Sequence, residues 1–245
     1  MADPIRPLTE IWVYLETSPL LGLTLTLVAY QSAYWLYARS RMNPLLNPVL
    51  LAVAALVALL LLTHTPYPTY FEGAQFVHFL LGPAVVALAV PLYQQLPNIR
   101  RLFVPVVVAL MAGSVVAVAS ALVIAWALGA SGTTLLSLVP KSVTAPIAMG
   151  IAERIGGIPA LTAVLVVATG VIGAALGKYV LDALAIADYR VRGFALGLAA
   201  HGIGTARAFQ VSEEAGAFAG LAFGLHGVLA AFLAPAVYLA VRHFF

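Results

Sequence analysis

Hydrophobic positions along this chain run in long unbroken blocks set apart by short polar punctuation, without the strict alternation of a half-buried strand. Six blocks, at approximately 18–38, 44–63, 70–96, 102–128, 158–186 and 214–243, are long enough to cross a hydrocarbon core of roughly 30 Å as helix. Two further stretches, 134–153 and 193–211, are apolar but interrupted, the first by Pro140 and Pro146, the second by HGIGT. Proline removes a helix donor and clashes with the preceding turn, and glycine permits non-helical backbone. At membrane depth such breaks persist only where they face protein or a wet cavity.

Basic residues orient these blocks. Arg39 and Arg41 follow the first, Arg100 and Arg101 the third, Arg190 and Arg192 the fifth, while 64–72 and 129–133 hold no Lys or Arg. With the Arg-bearing loops cytoplasmic, the fourth block leads outward to Gly129 and the fifth must start outside. That works only if 134–153 dips into the membrane and returns to the same side, which puts Glu153 and Arg154 at the outer end of a re-entrant hairpin.

A weak internal repeat points the same way. Thr144-Ala145 aligns with Thr205-Ala206 at an offset of 61 residues, and a glutamate follows nine positions after each threonine, Glu153 and Glu214. One crossing separates the copies, so the hairpins enter from opposite faces, as in many secondary transporters. The expected fold is all-α: a polytopic helical membrane protein of about six crossings plus two re-entrant broken-helix hairpins in inverted orientation. Its expected organisation is an N-terminal segment (1–17), scaffold-like helices (18–128) and an inverted repeat (134–245), formed by 134–186 and 193–243, within one membrane domain.

Composition narrows the function classes. Hydrophobic residues make up 63% and charged residues 9%, and the mean hydropathy is +1.04, far from a soluble domain. The absence of alternation argues against a β-barrel. No cysteine is present, which excludes disulfides, thiolate metal sites and cysteine nucleophiles. The opening MADPIRPLTEIW has no basic run ahead of an apolar core and is not expected to be a cleavable signal peptide. The net charge of +3 is spread over loops, so nucleic acid is not an expected partner. The five histidines show no HExxH spacing, and neither a GxSxG elbow nor a phosphate-binding loop occurs. No enzyme activity, metal or cofactor is expected; a coupling ion, H+ or Na+, is left open.

Chemistry gathers at the two interruptions. In LVPKSVTAPIAMG (138–150), Lys141 stands between two prolines with Ser142 and Thr144. A lysine can snorkel to the interface from a loop, but a charge inside apolar sequence is by default a functional hypothesis. The segment after Pro146 starts a half-helix, whose unpaired N–H groups and positive dipole end suit a carboxylate. In AAHGIGTARAF (199–209), Gly202 and Gly204 let backbone approach a ligand and Thr205 begins another half-helix. His201 can bond a substrate oxygen or carry a proton; the plainer alternative is a glycine-rich kink with a buried, satisfied histidine. Arg207 either completes an anion site or reaches a carbonyl or Glu213/Glu214. In NPLLNP (43–48), Asn before Pro starts a helix well, and the alternative is that the Asn47 amide faces the cavity. The expected substrate-binding set is Lys141, Ser142, Thr144, His201, Gly202, Gly204, Thr205, Arg207 and Asn47. Gly82-Pro83 and Pro91 interrupt the third block, either as a simple kink or as a break in a scaffold helix that widens the transport path, with Tyr93 and Gln94 near its cytoplasmic end. Gly173/Gly177 and Gly216/Gly220/Gly224 give close-packing helix faces, and Lys178 is expected to pair with Asp182.

Taken in order, NPLLNPVL, GPAVVALAVPLYQQL, VPKSVTAPIAMG, GGIPALTAV, RGFALG and HGIGTARAF resemble the LrgB/CidB family of bacterial membrane proteins, from about Leu20 to Val241. One departure is Ala145, where relatives often carry a second threonine. The resemblance implies two functions. LrgB-like proteins are described as holin-like effectors or regulators of murein hydrolases that act beside a smaller LrgA/CidA-type membrane partner. The plastid relative is a glycolate/glycerate transporter in which both parts are fused, and bacterial members are linked to pyruvate movement. The expected function is therefore secondary transport of small monocarboxylates by alternating access across the bacterial inner membrane, with the effector role as the alternative. The expected partners are a small carboxylate anion, the lipid bilayer, an LrgA/CidA-type protein and a second copy of the chain.

Overall fold

The computed structural model describes residues 19–40, 42–43, 46–87 and 89–241. The expected N-terminal segment, Arg41 and the start of the second block lie outside them. Every regular element among the described residues is a helix, as the block pattern requires. The chain divides into two compact units, Met1–Ala87 and Leu88–Phe245.

In the first unit, α1 (Pro19–Arg39) packs on α2 (Pro48–Leu62) and on α3 (Tyr67–Phe79), and α4 (Leu81–Ala87) follows. A side chain at Gly22 would strike the Tyr70 carbonyl, so glycine is what lets α1 approach α3. Beside it Thr26 Oγ1 and the Tyr70 hydroxyl share a 2.7 Å hydrogen bond. The expected crossing at 70–96 is not one helix. It is cut after Phe79 and again at Gln95, and α5 (Ala89–Gln94) belongs to the second unit. Pro83 and Pro91, each without an N–H, leave too few ladder bonds to carry one helix through this block.

The second unit continues with α6 (Leu96–Arg101), α7 (Phe103–Ala127), α8 (Gly132–Leu138), α9 (Ala145–Ile155), α10 (Pro159–Ala183), α11 (Tyr189–Val211) and α12 (Glu213–Val241). Residues 103–127, 159–183 and 213–239 are each helical, long and apolar enough to cross a membrane. The chain is a helical membrane protein. In α7 only 17% of the most apolar stretch is buried, against 44% in α12, which makes α12 the central post. Val106 and Leu110 pack with Phe218 and Ala222, and Val118 packs with Ala230 and Ala234, so α7 and α12 run parallel.

The first interruption is a hairpin. Ser131 caps α8, two tight turns follow (Lys141 N–H to the Leu138 carbonyl, Val143 N–H to the Pro140 carbonyl), and α9 starts at Ala145. Gly156, in the left-handed region at φ 86°, ends α9. Ile158 N–H then donates to Ser137 Oγ at 2.8 Å, and Thr162 Oγ1 donates to the Ser137 carbonyl at 3.0 Å. The chain thus leaves this hairpin where it came in.

The second interruption is also a hairpin. Ala200 (φ −119°, ψ 17°) and His201 (φ 41°, ψ −133°) break α11. A side chain at Gly204 would meet the Leu196 carbonyl, whereas residues eight apart in a straight helix lie about 12 Å from each other. The break comes four residues before Thr205, so Thr205 does not begin the returning half-helix. Its hydroxyl donates to the His201 carbonyl at 2.8 Å, inside the first returning turn.

Between the two hairpins lies α10, about 37 Å long at 1.5 Å per residue. Its start is tied to the mouth of the first by Thr162, and its end to the mouth of the second by the Asp182–Arg192 ion pair at 2.7 Å. The hairpins therefore open at opposite ends of the unit.

Candidate functional site

Both tips converge on one turn of α10. Val166 packs with Val143 and Ala148 of the first hairpin, and its carbonyl bonds His201 Nε2 of the second at 3.0 Å. Glycine makes room for this. At Gly170 a Cβ would fall 2.7 Å from the His201 ring, and at Gly173 2.6 Å from Ala200 Cβ. The Gly173 face expected from the sequence is thus the bed of the second hairpin. Positive φ on His201, with Gly202 next door, costs on the order of 1–3 kcal/mol, and the Val166 bond holds the ring in that pose.

At the first tip, Lys141 is half-buried and its Nζ donates to the buried Ser142 hydroxyl at 3.1 Å. None of the ion pairs among the described residues includes Lys141. Thr144 is the N-cap residue of α9, yet its hydroxyl makes no cap bond. Pro146 brings no N–H, and the first helical bond runs from Ala148 N–H to the Thr144 carbonyl at 2.9 Å. The positive end of α9 therefore presents uncapped donors beside a cation.

A member of this cluster that sequence reasoning missed is His226. It lies buried mid-way along α12, with Nδ1 bonded to buried Ser114 Oγ of α7 at 2.8 Å. Lys141 is within charge–charge range of both His226 and His201. Ile147, in the first turn of α9, reaches Gly227 next to His226. The available signal was an ionisable residue at the centre of an apolar span; a search for metal-ligand spacing passes over it.

The nine expected site residues thus separate. Lys141 and Ser142 of one tip and His201 of the other fall around Val166, Thr144 opens the returning arm of the first tip, and Gly202 follows His201 with open space where a Cβ would be. Gly204 and Thr205 serve the fold-back of α11 itself. Arg207 lies in a cavity at the hairpin mouth, bonded to Gln210 Oε1 at 3.2 Å. Asn47 caps α2, its side-chain oxygen accepting from the Val49 and Leu50 N–H groups at 2.9 and 3.3 Å. At the same mouth Lys178 pairs with Asp182 at 2.8 Å, as the spacing requires.

The LrgB-like family matches residues 26–239. The chain belongs to that family. Among its LrgB-like relatives, uncharacterized protein YxaC of Bacillus subtilis is 39% identical over 88% of this chain and 93% of its own length. Holin-like protein CidB of Staphylococcus epidermidis is 32% identical over 80% of this chain and 86% of its own. Antiholin-like protein LrgB of Bacillus cereus is 30% identical over 89% and 95%. No solved structure matches this LrgB-like chain.

Proposed function

We propose that this LrgB-like protein is a multi-pass inner-membrane secondary transporter of small monocarboxylates such as glycolate, glycerate or pyruvate. The observation that supports it is the meeting of two oppositely opening hairpin tips on Val166, where Lys141 has no carboxylate partner among the described residues. A half-helix dipole, a lysine and hydroxyls at mid-membrane are what a carboxylate needs in place of water. In this reading Lys141 neutralises the anion, Ser142 and Thr144 donate to its oxygens, and His201 links binding to a coupling proton. The test is uptake of labelled glycolate, glycerate and pyruvate into proteoliposomes. Wild type is expected to give saturable uptake, and Lys141→Ala to lower it by roughly 10- to 100-fold, the value of a charge-assisted hydrogen bond. No saturable uptake of any of the three sinks the reading.

The comparisons favour a second reading more directly, because the relatives' names are holin-like and antiholin-like. There the chain is a membrane effector or regulator of murein hydrolase activity that works with an LrgA/CidA-type partner. A changed rate of cell-wall lysis on co-expression with such a partner, with no carboxylate uptake, selects it. A homodimer is compatible with either reading.

A further inference from the structure

Every fourth residue of α7 from Val106 to Val118 is buried, and so is every fourth residue of α12 from Phe218 to Ala234. Both stripes are apolar except at one level, where Ser114 stands between Leu110 and Val118 and His226 between Ala222 and Ala230. That level lies beside the first hairpin tip. Ala230, one turn further along, shares a core with Val143, Ala148 and Val166, and Ile147 reaches Gly227. Lys141 and His201 are both within charge–charge range of the His226 ring.

Ser114 Oγ bonds His226 Nδ1 at 2.8 Å. A bond that served only to join two membrane helices would end there, but the imidazole has a second nitrogen. His226 is 3% exposed, and its Nε2 has no hydrogen-bond partner among the described residues. No enclosed side-chain nitrogen or oxygen among them is left unpartnered, so Nε2 opens on space that water can enter. Ser114 Oγ has no other partner among the described residues, so its proton goes to Nδ1 and the neutral ring carries its own hydrogen at Nε2. The result is a lone N–H donor on the central post, near Lys141 and set apart from both hairpins.

A small carboxylate laid on Lys141 and the open start of α9 uses its two oxygens there, so a donor from another element meets the next carbon. An N–H matches any acceptor oxygen on that carbon, hydroxyl or oxo alike. A methyl group in the same place leaves the donor unmatched, and an unmatched buried donor is costly enough to discriminate between ligands.

On the monocarboxylate reading of the tips, on which this rests, we propose that His226 is a specificity-determining residue of that site. Its Nε2–H, positioned by Ser114, selects acids with an oxygen on the carbon next to the carboxylate over plain short-chain acids. Glycolate and propionate are the probes, because they are isosteric and exchange a hydroxyl for a methyl; pyruvate supplies the oxo case. Apparent affinities are read from thermal stabilisation of the detergent-purified full chain, titrated with the sodium salts at constant ionic strength. Wild type is expected to bind glycolate and pyruvate roughly tenfold or more tighter than propionate, the cost of an unmatched buried donor. His226→Leu is expected to abolish the preference by weakening glycolate and pyruvate to the level of propionate. His226→Gln, which keeps an N–H in reach, is expected to retain part of it. Ser114→Ala, which releases the ring, is expected to narrow it roughly threefold, the worth of a weak neutral hydrogen bond. Lys141→Ala is expected to weaken all three acids together. A wild type that binds propionate as tightly as glycolate overturns the proposal and leaves the monocarboxylate reading standing. So does a His226→Leu protein that keeps the preference, or one that loses all three acids by the same factor, which marks a scaffold role. Where His226→Leu does not fold, Ser114→Ala decides, and a full wild-type preference in it overturns the proposal. Binding of none of the three acids by wild type removes the monocarboxylate reading itself, and the role of His226 with it.

Discussion

Asp188 has two roles at one turn. Its carboxylate caps α11 by accepting the Arg190 N–H at 2.8 Å, and it pairs with the Arg190 guanidinium at 2.5 Å. Hydrogen bonding from Arg190 holds the carboxyl down at about 2, below the roughly 3.9 of an unfolded aspartate. A carboxyl lowered in the folded state stabilises fully above the unfolded value and loses that contribution as pH falls through the folded one. Thermal unfolding of wild type and Asp188→Asn is therefore expected to differ at neutral pH, and the gap to close between about pH 4 and pH 2; a gap that persists at pH 2 contradicts the assignment. Residues of this sort divide in how well a sequence announces them. Lys141 is legible because a cation amid apolar residues has few bland explanations, and Asn47 because Asn-Pro is a helix start. His201 is legible as a residue of a break, but its positive φ is not, since glycine is the residue expected to take that conformation. The glycine beside it is left for open space, and the turn falls one helical turn before Thr205. His226 is illegible for another reason: its partner Ser114 is 112 residues away, and no local pattern joins them.

At the scale of elements, close packing decides which substitutions the unit tolerates. Side chains at Gly193 and Gly197 of α11 would drive into the Ala215 and Ala219 carbonyls of α12, while one at Gly224 would meet nothing within 4 Å. Gly197→Ala is expected to lower stability by about 1–3 kcal/mol, the usual cost of overpacking. Gly224→Ala is expected to be neutral or to gain up to about 1 kcal/mol from helix propensity. Thermal melts of both variants in one detergent check this, and an equal loss in both refutes the packing argument. The helices α7, α10 and α12 are readable from block length alone, because an apolar run of 25 residues or more has one economical conformation in a membrane. The third block is not readable in the same way. Its hydropathy matches that of a crossing, but two prolines take away backbone bonds and a glycine lowers helix propensity, neither of which hydropathy counts. Gly193 and Gly197 escaped notice as a packing face, although they stand four apart like Gly173 and Gly177, because they lie within the stretch singled out as interrupted.

Over the whole second unit, the order long helix, hairpin, long helix, hairpin, long helix predicts a definite sidedness if each long apolar helix crosses the membrane. Single cysteines placed at Ser131 and Ile158 are expected to label from one side of the membrane, and those at Tyr189 and Val211 from the other, with no native cysteine to interfere. Labelling of Ser131→Cys and Ile158→Cys from opposite sides would remove the re-entrant fold. The alternation of long helices and hairpins was legible from block length and from two proline- or glycine-rich breaks separated by one long apolar block. The boundary between units at residues 87 and 88 was not, because it falls inside a hydrophobic block. The seven-residue α8 has a further consequence, for the order in which the chain is made. Its hairpin emerges during synthesis before α10 and α12, yet its apolar residues pack on Val166, Ala230 and Ala234. A segment that short, followed by a lysine, has no stable place in lipid alone. Its first docking surface is α10, through Val166 and the Ser137–Thr162 bond, and a chain truncated before residue 230 leaves uncovered the face of the hairpin that packs on Ala230 and Ala234.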